Sequence, residues 1–201
     1  MIPNALSFVT DESSDCANPI IMPAGRLTES KGFDRLIEIW AAMEPDYPEW
    51  SLRIFGDGEE RENLSRLIEA RGLKRVALLP STPDIEAQML RASIFAFTSR
   101  TEGFGMVLTE AMQCGLPVVS YKTRYGPSEI VDDEVSGFLV EEGGAAMFDA
   151  RLRRLIEDPV LRRTMGAAAK RLSVIKFRPE AVMLRWKSLF EELAPSKVTE
   201  W

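Results

Sequence analysis

The chain has 201 residues with 25 basic and 31 acidic side chains, a formal net charge of −6 and no histidine. That length can bury a sizeable core as one domain with appendages. The acidic balance argues against a nucleic-acid-binding surface, which normally shows a basic footprint, and the lack of histidine excludes a His-dependent triad or an imidazole metal site within these residues. Of the two cysteines, Cys16 lies in a polar stretch and Cys114 at an apolar helix end; both are expected as unpaired thiols, which fits a reducing, cytoplasmic compartment. No apolar run is long enough to span a bilayer and no secretory leader is read at Met1.

Residues 1–19 are polar and irregular, with Asp11, Glu12, Ser13, Ser14 and Asp15 clustered, and read as a linker. From Ile20 onward short apolar strands alternate with amphipathic helices. Ile20 to Ala24 reads as a first strand, after which Leu36, Ile37, Ile39, Trp40 and Met43 recur at helical spacing. Ser51–Phe55 is a second strand closed by Gly56-Asp57-Gly58, and Glu59 to Arg71 a helix stopped by Gly72. Val76–Leu79, Ile94 to Thr98, Val118 to Ser120 and Gly137–Val140 supply further strands, with a short helix from Ile85 to Ala92 between two of them. Strands separated by helices of this length imply βαβ units and a parallel sheet covered on both faces, the Rossmann-like α/β class, over residues 20–172.

Beyond Gly144 the pattern turns helical. Met147 to Glu157 is one helix, Asp158-Pro159 interrupts it, a second runs to about Leu172, and residues 173–201 form a helical tail starting a third helix at Pro179. Val182, Met183, Trp186, Leu189, Phe190 and Leu193 form an apolar stripe on that last helix, which is expected to pack into the core.

The stretch Ser99 to Pro117 carries the chemistry. Glu102 and Glu110 flank a Gly103-Phe104-Gly105 turn that opens a short apolar helix closed by Gly115. Glycines at a helix start let backbone N–H groups approach a ligand, and the helix dipole favours negative charge there. A carboxylate further along can accept paired hydrogen bonds from vicinal hydroxyls. A phosphate cradle beside a hydroxyl acceptor suits a nucleotide-sugar. In parallel sheets ligands sit at the carboxyl ends of strands, and Gly25-Arg26, Gly56-Asp57-Gly58 and Ser99 to Gly105 all follow strands directly.

This run resembles the S-x-x-E-G-F-G-x-x-x-x-E-A-M-x-C-G-x-P signature of retaining glycosyltransferases of family 4, with Glu102 and Glu110 in its E-x7-E arrangement. Gly25-Arg26-Leu27 and Lys31-Gly32-Phe33 look like the family's G-R-L…K-G-F segment, which assigns Arg26 and Lys31 to the donor diphosphate. The resemblance implies catalytic roles for Glu102, Arg26 and Lys31. It places the donor against Gly25, Arg26, Lys31, Gly56, Gly103, Phe104, Gly105, Met106 and Val107, with Glu110 on the ribose hydroxyls. Gly56-Asp57-Gly58-Glu59 resembles the family's turn after the second strand and equally reads as a plain strand–helix turn. Pro80-Ser81 and Asp84-Ile85 resemble, loosely, the segment bordering the base. Tyr125 to Ile130 resembles a G-P-x-E-I variant of some bacterial polysaccharide-assembly members, although Gly126 and Pro127 also suit a turn.

The resemblance implies the C-terminal, donor-binding half of a GT-B fold, entered through the I-P-N-like segment Ile2-Pro3-Asn4, with the N-terminal acceptor domain absent from these residues. Terminal helices of the family cross back toward that other domain, so part of the 182–193 stripe is expected to be exposed here. The implied reaction is transfer of a hexose or N-acetylhexosamine from a UDP-linked donor, or a GDP-linked one, to a glycan or lipid-linked acceptor. The expected partners are that nucleotide-sugar and the acceptor, with no nucleic acid; the intact enzyme could associate peripherally with the inner face of a membrane. No Asp-x-Asp pair for a bridging divalent ion occurs, so neither a metal nor another cofactor is expected. Two other readings stand beside it: a non-catalytic nucleotide-sugar-binding module working with a separate acceptor subunit, and a nucleotide-sugar epimerase, against which the lack of histidine counts.

Overall fold

The computed structural model describes residues 2–193; Met1 and residues 194–201, the end of the expected tail, lie outside the described residues. Six strands, β1 (Ile20–Met22), β2 (Ser51–Phe55), β3 (Val76–Leu79), β4 (Ile94–Phe97), β5 (Val118–Tyr121) and β6 (Gly137–Val140), form one sheet in the order β3-β2-β1-β4-β5-β6. Every pair is parallel. The Rossmann-like class expected from the alternating pattern is the one found.

Side chains along the inner strands point alternately to two cores, as a sheet buried on both faces requires. Ile21, Ile94, Ala96 and Val119 join one cluster with α1 (Phe33–Met43), α2 (Arg61–Ala70) and α6 (Ala145–Glu157). Met22, Phe95, Phe97 and Val118 join the other with α3 (Ile85–Leu90), α4 (Met106–Gln113) and α7 (Pro159–Phe177). Asp158 caps α7, accepting hydrogen bonds from the Val160 and Leu161 N–H groups at 3.0 and 2.8 Å, with Pro159 at its first position.

Helix α7 runs five residues beyond its expected end at Leu172 because its last turns have core partners: Ser173 donates to Gln113 Oε1 at 2.9 Å and Phe177 is buried. A single helical turn, α5 (Pro127–Ile130), forms where the sequence suggested a bare turn. The core packing expected for α8 (Pro179–Leu193) is corrected, and the partial exposure that the resemblance implied is what is seen. Its apolar stripe does not enter the core: Val182 is buried, but Met183, Trp186, Phe190 and Leu193 are 40–69% exposed. The helix packs on α7, and residues 2–5 lie beside Val182, Met183 and Trp186 and cover only part of the stripe.

Residues 2–19 contain no helix or strand, yet they are tied along α4 and α7. Leu6 N–H donates to Phe177 O and Ser14 N–H to Cys114 O, both at 2.8 Å, and Gln113 Nε2 donates to Thr10 O at 2.9 Å. Cys16, read from its polar neighbours as lying in a polar stretch, is buried instead, with its sulfur against Gly115 O. Both cysteines are free, as expected. Burial raises the Cys16 thiol and pushes Cys114 up to about 12, so neither is a thiolate near neutral pH.

The turn after β2 shows why glycine is needed at one position. A Cβ on Gly56 would lie 1.9 Å from the Gly25 carbonyl oxygen, in the loop after β1. The Gly56→Ala variant is therefore expected to lose at least about 1 kcal/mol of stability. Denaturant unfolding checks this, and an unchanged midpoint would show that the two loops can separate freely.

Candidate functional site

The strand order reverses between β1 and β4, and the loops leaving those two strands splay apart to frame a crevice. A cleft of about 760 Å³ opens there, with Gly25, Arg26 and Lys31 on one side and Glu102, Phe104, Gly105, Met106, Val107 and Glu110 on the other. Gly56 and Asp57 close a third side. The structure thus brings together nearly all the residues singled out from the sequence. Gly103 is exposed beside the cleft and does not line it, and neither do Gly58, Glu59, Pro80, Asp84 or Tyr125 to Ile130.

Lys31 and Glu102 meet across the crevice. The Lys31 ammonium donates to Glu102 Oε1, which also accepts from Ser99 Oγ at 2.7 Å. Glu102 is 9% exposed and Lys31 24%, so the pair is partly shielded from water and its attraction exceeds that of a surface pair. Arg26 is exposed and has no carboxylate partner among the described residues. Its guanidinium is available to an anion in the cleft, which it can grip bidentately.

Helix α4 supplies the opposite wall. Gly105 precedes it at φ +96°, a left-handed conformation that favours glycine, and no acidic residue occupies its first turn. The N–H groups of Gly105, Met106 and Val107 have no acceptor among the described residues, so the helix start offers orphan donors and the positive end of its dipole to the cleft. One turn further on, Glu110 is half-buried, with Oε1 accepting from Ser7 Oγ at 2.5 Å. Phe104 is steadied by an edge-on contact with Phe177, ring centroids 5.9 Å apart.

The third side is more organised than its turn-like sequence suggested. The Asp57 carboxylate accepts from Ser81 N–H at 2.9 Å and from Ser81 Oγ at 2.5 Å. Arg61 donates to Asp57 and to the carbonyls of Gly56 and Leu79 at 3.1, 2.9 and 3.2 Å. Asp57 and Arg61 thus lock the end of β2 to the loop after β3, whose Ser81, Thr82 and Ile85 line the cleft. Sequence reasoning missed Arg61 and gave Asp57 no role. The signal was the four-residue spacing of an acid and a base across a helix start. Asn4, Ala24, Phe55 and Thr82 also line the cleft without having been assigned to it from the sequence.

The two hydrogen bonds from Ser81, helped by Arg61, hold the Asp57 carboxyl below its ordinary range. Stability from this contact is present above the unfolded Asp pKa and disappears as pH falls through the lower folded value. The Asp57 carboxyl resonance in NMR is expected to titrate below that of a free Asp and to move up in Ser81→Ala. An unshifted resonance would mean that Asp57 does not hold the loop in solution.

Three comparisons bear on what such a cleft serves. The chain is 34% identical over 173 residues to an uncharacterized glycosyltransferase of Haemophilus influenzae, covering 86% of this chain and 49% of that protein. It is also 34% identical over 170 residues to the amylovoran biosynthesis glycosyltransferase AmsD of Erwinia amylovora, covering 84% of this chain and 47% of the relative. The chain therefore spans about half the length of these relatives. Among solved structures, Anabaena HepE in complex with UDP superposes with a TM-score of 0.80 at 29% identity, over 88% of this chain and 50% of that one. The family description "Glycosyl transferases group 1" matches residues 11–172, a span holding the sheet and every cleft-lining loop except the segment at Asn4, and the chain belongs to that family.

Proposed function

We propose that the chain is the donor-binding part of a retaining glycosyltransferase that moves a hexose or N-acetylhexosamine from a UDP-linked donor to a glycan or lipid-linked acceptor. The observation that carries this reading is the convergence of Arg26, Lys31 and the open start of α4 on one cleft at the strand-order reversal. In such a transfer the bond between the anomeric carbon and the diphosphate oxygen breaks, and its electron pair stays on the leaving group. The acceptor hydroxyl bonds to the same carbon and loses its proton. Cations and orphan N–H groups fixed where charge grows on the phosphate oxygens lower that barrier most.

Within this reading Arg26 and Lys31 take the diphosphate together with the amides of Gly105, Met106 and Val107. Glu110 accepts the ribose hydroxyls, and Glu102, already ordered by Lys31 and Ser99, borders the donor sugar. The Ser81–Ile85 segment borders the base. Structures of HepE with UDP and with UDP-glucose, at 29% identity, support a uridine donor. AmsD, named for amylovoran biosynthesis, supports a place in polysaccharide assembly.

Charge compensation by protein groups alone is part of the proposal. Arg26, Lys31 and the N–H groups that open α4 are the groups that would carry it. Acceptor contacts come from the portion of the longer relatives that this chain does not span, so the chain alone is expected to bind donor without turning it over. No helix among the described residues is long and apolar enough to cross a membrane. That is compatible with work at the cytoplasmic face.

Calorimetry with UDP and GDP tests the site. UDP should bind the native chain, and Arg26→Ala and Glu110→Ala should each weaken it about tenfold or more, since a hydrogen bond to a charged group contributes about 1.5–3 kcal/mol. A chelator should leave the affinity unchanged. Equal, weak binding by all three proteins would refute the assignment.

A further inference from the structure

We propose that Arg100, which does not line the cleft, is a positioning residue that sets the distance between its two anion-binding walls. The proposal rests on the nucleotide reading of the cleft given above. Arg100 grips the Asp34 carboxylate through two hydrogen bonds, at 2.8 and 2.6 Å, and donates to Glu29 O at 2.6 Å. Its own backbone N–H donates to Ser30 O at 2.7 Å. One residue of the β4 loop therefore holds the 3-10 turn Glu29–Lys31, which precedes α1, by main chain and side chain together.

That turn is three residues long and has little internal structure to fix its height above the sheet. Ordering a backbone residue costs about 1–2 kcal/mol, so a short loop stays in one place only if something outside it supplies contacts. Arg100 supplies them on the side away from the cleft. Close approach of Gly32 to the Thr98 carbonyl completes the join: a Cβ at Gly32, whose φ is +64°, would lie 2.2 Å from Thr98 O. On the cleft side, Lys31 and Glu102 meet across the same two loops. Lys31 is a compact point charge on a flexible stem, and its reach to a diphosphate depends on where its backbone is held.

An isolated surface pair would not deserve this role, since exposed ion pairs contribute about 0–1 kcal/mol. The Arg100–Asp34 contact differs in being bidentate and joined by two backbone bonds. Burial pushes the Asp34 carboxyl up, but the Arg100 hydrogen bonds and charge outweigh it and leave the group below its ordinary range; Arg100 is raised in turn.

The test compares the full chain with Arg100→Gln and Asp34→Ala, measuring affinity for UDP and for uridine by NMR titration, with thermal unfolding alongside. Removing an acid raises the local positive potential, so charge alone predicts tighter UDP binding in Asp34→Ala. Positioning predicts that both variants lose UDP affinity by about tenfold, the scale of one charged hydrogen bond, while uridine affinity stays as in the native chain because it has no phosphates to place. Arg100→Lys, which keeps the charge but cannot form the fork, should not rescue. Tighter UDP binding in Asp34→Ala, equal losses for UDP and uridine, or full rescue by lysine would each overturn the proposal. If the native chain fails to bind UDP, or Arg26→Ala binds as well as native, the nucleotide reading falls instead.

Discussion

Parallel pairing of β1 with β4 is the contact on which the rest depends. Chain order runs outward from β1 to β3 and then returns to β4 on β1's other side, so two consecutive carboxyl ends send their loops in opposite directions. A crevice at that point follows from chain connectivity and needs no specialised residue. Buried apolar side chains on both faces, Ile21 and Ile94 toward one core and Met22 and Phe95 toward the other, hold the pair rigid. Loops anchored on such a base can present charged groups with little loss of precision, because their roots do not move.

Electrostatics in the crevice is a competition rather than a fixed bond. Glu102 occupies the Lys31 ammonium, and on the proposed reading an entering anion would draw on that same ammonium while the exposed Arg26 remains without a carboxylate among the described residues. The orphan amides at the start of α4 add fixed partial charge that salt and side-chain motion disturb less than they would a free lysine. Flexible cations and rigid dipoles thus line opposite sides of one crevice.

Much of this was legible in the residues. Short runs of mainly apolar residues set between turn or charged residues marked Ser51–Phe55, Val76–Leu79 and Gly137–Val140 to the residue. The Ser99–Pro117 run was legible because glycine spacing and two carboxylates record backbone constraints directly. Tertiary packing was not. Nothing in the local pattern of Ser173 to Phe177 shows that α4 lies beneath it, and the stripe on α8 has the periodicity of a core helix without a layer to cover it. Asp57 and Arg61 escaped notice because their partners, Ser81 and the strand-end carbonyls, are near only after β2 and β3 pair.

The hydroxyl of Ser7 reaches Glu110 from a segment with no regular structure, only one residue from the Leu6 anchor on Phe177. Glu110 has two oxygens, and one already has a tenant. Any molecule that recruits that oxygen must share it with Ser7 or evict it, so filling the crevice and reshaping the Leu6–Ser7 segment are thermodynamically linked and each reports on the other.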